Sequence, residues 1–119
     1  MKLSREFDEK FEVLDDVLEY ILKNYATITL DDLADKFKFN KFYLSKIIKS
    51  CTGKNFVKIV QDIKMKKAIE LILYTNLSIE DISVAVGYNS PSTFMRTFKK
   101  IYDISPTEYR RINKRICEE

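Results

Sequence analysis

Residues 29–53, TLDDLADKFKFNKFYLSKIIKSCTG, and residues 78–103, SIEDISVAVGYNSPSTFMRTFKKIYD, are two copies of one pattern. Thr29-Leu30-Asp31-Asp32-Leu33 falls on Ser78-Ile79-Glu80-Asp81-Ile82 at a shift of 49 residues, and past a turn Leu44, Ile48 and Cys51 fall on Phe94, Phe98 and Ile101 at a shift of 50. One residue is therefore inserted in the second turn. Each copy has the layout of a helix-turn-helix. A small helical unit duplicated about a connecting helix suits the reading of two neighbouring stretches of a DNA groove.

Ahead of the copies, Phe7, Phe11, Leu14, Leu18, Ile21 and Tyr25 follow helical spacing and predict an amphipathic first helix ending near Asn24. Three later helix starts carry a hydroxyl followed three residues on by a carboxylate: Thr29 with Asp32, Ser78 with Asp81, and Ser105 with Glu108. In that arrangement the two side chains satisfy backbone N–H groups that the first turn leaves free. Pro106 and Pro91 each stand at a first helical position, where a missing N–H costs nothing, with Ser90 read as the cap before Pro91.

Within the first copy, Leu33, Ala34 and Phe37 are expected inward on a helix over 30–37. Asn40 is expected to cap a helix that runs through Leu44, Ile47, Ile48 and Cys51 until Gly53 stops it. Between Asn55 and Tyr74 neither Gly nor Pro intervenes, and Phe56, Ile59, Val60, Ile63, Ala68, Leu71 and Ile72 define the buried face of a connecting helix of roughly 30 Å. Thr75-Asn76 ends it. In the second copy Ile79, Ile82, Val86, Phe94, Phe98 and Ile101 are expected inward around a turn at Gly87, and a last helix packs through Tyr109 and Ile112.

With 119 residues, 45% of them hydrophobic, and only two Gly and two Pro, the chain is sized for one compact all-α domain or for two small subdomains sharing a helix. The expected division is 1–54 for the first helix and first helix-turn-helix, 55–75 for the connecting helix, and 76–119 for the second helix-turn-helix and the last helix. Charge is unevenly distributed along the chain: positions 1–35 carry a net −6, whereas the remainder carries +9. An acidic leader before a basic body points to a polyanion partner for the body, a lysine-rich solvated surface being the other reading.

The sequence has no histidine, and Cys51 and Cys117 lack metal-ligand spacing, which excludes zinc fingers and histidine-based catalysis and implies no metal and no cofactor. Cys51 is expected to be a small core residue and Cys117 a free thiol. No apolar run has the length of a membrane span and charges interrupt the first 30 residues, so neither a signal peptide nor a membrane helix is expected. A reducing, cytoplasmic setting follows from these readings.

Burying residues 44, 47, 48 and 51 leaves Phe42, Ser45, Lys46 and Lys49 together on the opposite side of their helix. A ring that can meet a thymine methyl, a permissive hydroxyl, and ammonium groups that reach a guanine edge or a phosphate form a groove-reading face. The alternative for Phe42 is to fold back as core. In the second copy Ser92, Thr93, Arg96, Lys99 and Lys100 are left outward, and the planar fork of Arg96 can bind the O6 and N7 of a guanine together. The alternative for Arg96 is an ion pair with Glu80 or Asp81, or a phosphate contact. Candidate phosphate contacts are Lys41, Lys49, Lys54, Lys99, Lys100, Arg110 and Arg111. Lys58, Lys64, Lys66, Lys67, Lys114 and Arg115 read as phosphate contacts or as solvated charges.

The run Ile82-Ser83-x-x-Val86-Gly87-Tyr88-x-x-x-Ser92-x-Phe94-x-Arg96-x-Phe98-Lys99-Lys100, followed by Ser105-Pro106-x-x-Tyr109-Arg110, resembles the signature of the AraC/XylS family of bacterial transcription regulators. Ile28-Thr29-Leu30-x-x-Leu33-Ala34, Tyr43-Leu44-Ser45, Thr52-Gly53 and Phe56 agree in the first copy, so the resemblance covers about residues 9 to 115. It implies a seven-helix module of two subdomains whose third and sixth helices enter successive major-groove segments on one side of double-stranded DNA. The base-facing positions it implies are Phe42, Ser45 and Lys46 in the first unit, and Pro91, Ser92, Thr93 and Arg96 in the second. Proline at 91 donates no hydrogen bond, so readout there is apolar or absent. Departures from the family pattern are Lys38 and Asp103 where turn glycines are common, a positive φ costing about 1 kcal/mol if Lys38 must adopt it and being better tolerated by Asp103, and Ser83 for a usual alanine, whose hydroxyl needs a backbone partner.

Many members of the family also carry an effector-binding or dimerisation domain, which this length does not accommodate, so the chain is expected to be a short stand-alone regulator or a fragment. RNA polymerase is a candidate partner of the acidic first helix. The competing function is a protein-interaction module of a larger regulator that docks through that helix. An enzyme is a poor fit, because no nucleophile stands near a base and no glycine-rich loop is present.

Overall fold

A computed structural model describes the backbone of residues 2–118 and the side chains of residues 12–113. Phe7, Phe11, Lys114, Arg115 and Cys117, named above, have side chains outside the described residues. The described residues form seven helices: α1 (Lys2–Lys23), α2 (Leu30–Phe37), α3 (Lys41–Thr52), α4 (Phe56–Tyr74), α5 (Ile79–Ala85), α6 (Pro91–Tyr102) and α7 (Pro106–Glu118). Two compact units meet inside α4, one up to Gln61 and one from Asp62 onward.

Local chemistry explains most helix ends. The hydroxyls of Thr29, Ser78 and Ser105 accept hydrogen bonds from the N–H groups of Asp32, Asp81 and Glu108 at 3.0, 3.0 and 3.1 Å. Asn40 Oδ1 accepts from both Phe42 N–H and Tyr43 N–H. Each such cap is worth about 1 kcal/mol. The turn after α2 closes at Lys38, φ 58°, with the Phe39 N–H donating to the Ala34 carbonyl at 2.9 Å. The turn after α5 repeats it at Gly87, φ 92°, with Tyr88 N–H donating to Ser83 at 2.9 Å. Gly53 and Asp103 likewise end α3 and α6 at φ 77° and 69°. The duplication therefore extends to backbone conformation, and at Lys38 a side chain occupies the left-handed region at a strain of about 1 kcal/mol.

In the first unit the core is Leu14, Val17 and Ile21 of α1, Leu33 and Ala34 of α2, Leu44 and Ile48 of α3, and Phe56 and Val60 of α4. Phe37 stays half-buried, edge-on to Tyr20. In the second unit Met65, Ala68 and Ile72 pack with Ile79, Ile82, Val86, Phe94 and Phe98, and Pro106 is fully buried. Phe98 is the aromatic hub, 4.6 Å from Tyr102 and 5.6 Å from Tyr109 between ring centres. Buried Ser83 donates its hydroxyl to the Glu80 carbonyl at 2.7 Å, the backbone partner its position requires.

Three inward expectations are corrected. Cys51 is exposed, Ile101 is 37% exposed and Ile112 is 40% exposed. Cys51 and Ile101 occupy the last turns of 12-residue helices whose partners α2 and α5 have only 8 and 7 residues, so the apolar stripe outruns its cover. Val17 and Met65, fully enclosed, were not among the expected core.

Arg110 of α7 binds the second unit's corner. Its Nε donates to the Ile72 carbonyl at 3.0 Å and one terminal nitrogen to Leu77 at 2.6 Å, while the other reaches Thr75 at 3.3 Å and Leu71 at 3.5 Å. These carbonyls belong to the end of α4 and the link into α5, where the last helical turn supplies few donors of its own. Only a guanidinium spreads donors widely enough to serve them together. Arg110→Ala is therefore expected to destabilise the second unit by about 2–4 kcal/mol in urea titration, with Arg110→Lys recovering less than half. Amides of α5 to α7 should exchange faster while those of α1 to α3 hold; a wild-type midpoint for Arg110→Ala would contradict this role.

Candidate nucleic-acid interface

With Leu44 and Ile48 buried, α3 presents Phe42, Ser45, Lys46 and Lys49 outward. Phe42 is 75% exposed, which removes the alternative of a core role. Its neighbour Lys41 places its ammonium 5.7 Å above the Phe42 ring centre and 3.3 Å from an Asp31 carboxylate oxygen. Lys41 thus links the starts of α2 and α3, through a solvent-exposed pair of modest strength. Lys46 is exposed and Ser45 half-buried beside it. Lys49 is exposed, and its ammonium donates to the Gly53 carbonyl at 3.2 Å, closing the end of α3. Lys54 follows, also exposed.

In α6, buried Phe94 and Phe98 turn Ser92, Thr93, Arg96, Lys99 and Lys100 to solvent, while Pro91 is half-buried at the first helical position. Among the described residues no carboxylate pairs with Arg96, so the expected alternative of Glu80 or Asp81 as its partner is not realised. Ser90 occupies the cap position but its side chain makes no cap hydrogen bond, a correction to its reading as a capping side chain. Lys46 and Arg96 occupy equivalent positions at the shift of 50 residues, as do Lys49 and Lys99, and Phe42 and Ser92. Each copy therefore carries two cations at equivalent points of its outer face, with a ring at 42 in one case and a hydroxyl at 92 in the other.

Two expected phosphate contacts change standing. Arg110 is withdrawn, because its guanidinium is committed to the carbonyls described above. Arg111 remains exposed but is paired with Glu108, whose carboxyl that hydrogen bond holds below its ordinary range. Lys64, read from the sequence as a phosphate contact or a solvated charge, is half-buried. Its ammonium donates to the Gly87 carbonyl at 3.3 Å, and burial lowers its pKa. That contact spans 23 residues, and no local pattern announces it.

Among the described residues no helix is long and apolar enough to cross a membrane. A family model described as a helix-turn-helix domain matches residues 33–112. The chain is 33% identical over 99 residues to the xylose operon regulatory protein of Escherichia coli, covering 82% of this chain and 25% of that protein. Among solved structures it is similar to the C-terminal domain of AraT, a response regulator from Geobacillus stearothermophilus, with a TM-score of 0.80, 35% identity and 84% of each chain covered. The DNA-binding domain of AdpA, a global transcriptional factor solved with a target DNA, shares the fold at a TM-score of 0.78 and 19% identity, with 83% of this chain and 90% of that one covered.

Proposed function

The chain belongs to the AraC/XylS family of helix-turn-helix transcription regulators, and we propose that it binds double-stranded DNA sequence-specifically through α3 and α6, each entering its own major-groove segment, to regulate bacterial transcription in the cytoplasm. The observation that carries this reading is the pair of matched cations, Lys46 and Arg96, left exposed on helices whose opposite faces are buried. A solvent face needs neither the bare ring of Phe42 nor an unpaired guanidinium, whereas base edges reward both. Lys99, Lys100, Lys41, Lys49 and Lys54 supply the phosphate-neutralising charge that fixes register.

Exposed Glu12, Asp15, Asp16 and Glu19 on α1 are the surface we propose for docking of RNA polymerase or an effector domain. The reading assigns binding rather than catalysis, and rests there on a sequence without histidine or a nucleophile beside a base.

Selection of bound duplexes from a random-sequence pool tests the proposal and supplies the site. On the selected duplex affinity should fall steeply with salt, and Arg96→Ala should lose about 1–3 kcal/mol there while hardly changing affinity for random duplex. Equal losses on both would reduce Arg96 to a phosphate contact, and no enrichment at low salt would refute DNA binding. Replacing single thymines by uracil in the same duplex should weaken binding at one position through loss of the methyl group. Phe42→Ala should abolish that effect; persistence of the methyl effect in Phe42→Ala would assign it elsewhere.

A further inference from the structure

The start of α6 is held differently from the starts of α2, α3 and α5. Side chains of Thr29, Asn40 and Ser78 accept hydrogen bonds from the first turns of those helices, but Ser90 provides none at α6. The grip comes instead from α4. Lys64 donates to the Gly87 carbonyl at 3.3 Å, and its ammonium lies 5.1 Å from the centre of the Tyr88 ring. Tyr88 in turn packs edge-on against buried Phe94 at 5.5 Å. Phe94 lies two residues before Arg96, so the contacts run from α4 through the turn to the buried side of α6.

Two observations separate Lys64 from the other lysines. Burial holds its ammonium below the ordinary lysine range, so it is partly withdrawn from water and directed into the fold. Among the described residues the first unit shows no counterpart. Its turn carries Lys38 and Phe39, Phe39 packs on Tyr43 at 6.0 Å, and the Asn40 cap already fixes the start of α3.

We propose that Lys64 is a positioning residue for the reading face of α6: by fixing Gly87 and Tyr88 it sets where Ser92, Thr93 and Arg96 stand against the bases. The inference rests on the assignment of α6 as a reading helix. Arg96 makes the contact; Lys64 acts through the turn and Tyr88.

A double-mutant cycle on the intact chain tests it, using the selected duplex, the same duplex altered at the base pair Arg96 discriminates, and a random duplex. Lys64→Met should weaken binding to the selected duplex about tenfold and lower discrimination at that base pair, with random-duplex affinity held within about twofold. Lys64→Arg, which keeps the cation and a donor, should stay within about threefold of wild type. Combined with Arg96→Ala, Lys64→Met should cost clearly less than it costs alone, since only Ser92 and Thr93 are then left for it to position. Tyr88→Leu, which removes the ring between Lys64 and Phe94, should lose discrimination in the same direction, and it carries the same cycle if Lys64→Met fails to fold. Additive losses in the double variant, or an equal loss on all duplexes with a salt slope reduced by about one, would overturn the proposal by making Lys64 an independent phosphate contact. Arg96→Ala without effect on discrimination would overturn the reading of α6 itself. Additivity with an effective Arg96→Ala would overturn the role of Lys64 alone.

Discussion

Helical phase is the constraint on which the interface depends. Leu44 and Ile48 in α3, and Phe94 and Phe98 in α6, are almost completely removed from water. Each such burial is worth about 1.5–3 kcal/mol, so turning either helix by one residue, about 100°, would sacrifice several kilocalories per mole. The opposite face has no freedom to choose its residues. Whatever lies two positions before or two positions after the first buried anchor must face out, which places Phe42 and Lys46 on one helix and Ser92 and Arg96 on the other.

Under that constraint the two copies have kept their frame and changed their surface. Both turns close with the same left-handed residue and the same hydrogen bond, although one uses Lys38 and the other Gly87. Both reading helices end on a left-handed residue, Gly53 or Asp103. Their outward positions differ: Lys41 against Pro91, Phe42 against Ser92, Lys46 against Arg96. One scaffold thus offers two chemistries, an apolar ring with an ammonium, and hydroxyls with a planar fork. The inserted residue in the second turn accompanies a difference at the helix start: the Asn40 side chain caps α3, whereas ahead of α6 Lys64 donates to the Gly87 carbonyl of the turn.

Features governed by neighbours close in the chain were legible from residues alone. Caps at Thr29, Asn40, Ser78 and Ser105 follow from contacts within a few residues, whereas the strain at Lys38 and Asp103 and the backbone partner of Ser83 became legible only against the family pattern. Periodicity located the stripes but not their ends, so Cys51 and Ile101, on the right face, lie beyond the cover of shorter partner helices. Met65, between Lys64 and Lys66, is buried because of what packs on α4 and not because of its neighbours. The fates of Arg110 and Lys64 were illegible for the same reason: their acceptors lie 38 and 23 residues away, and one basic side chain resembles another until its partners are in place.

The most direct measurement is amide and side-chain chemical-shift mapping of the labelled chain on addition of its selected duplex. Burial of one ridge on each reading helix predicts that the largest changes fall on Phe42, Ser45 and Lys46, and on Ser92, Thr93 and Arg96, with Cys51, Val84 and the acidic residues of α1 little moved. Changes centred on α1, with those six residues unaffected, would contradict it.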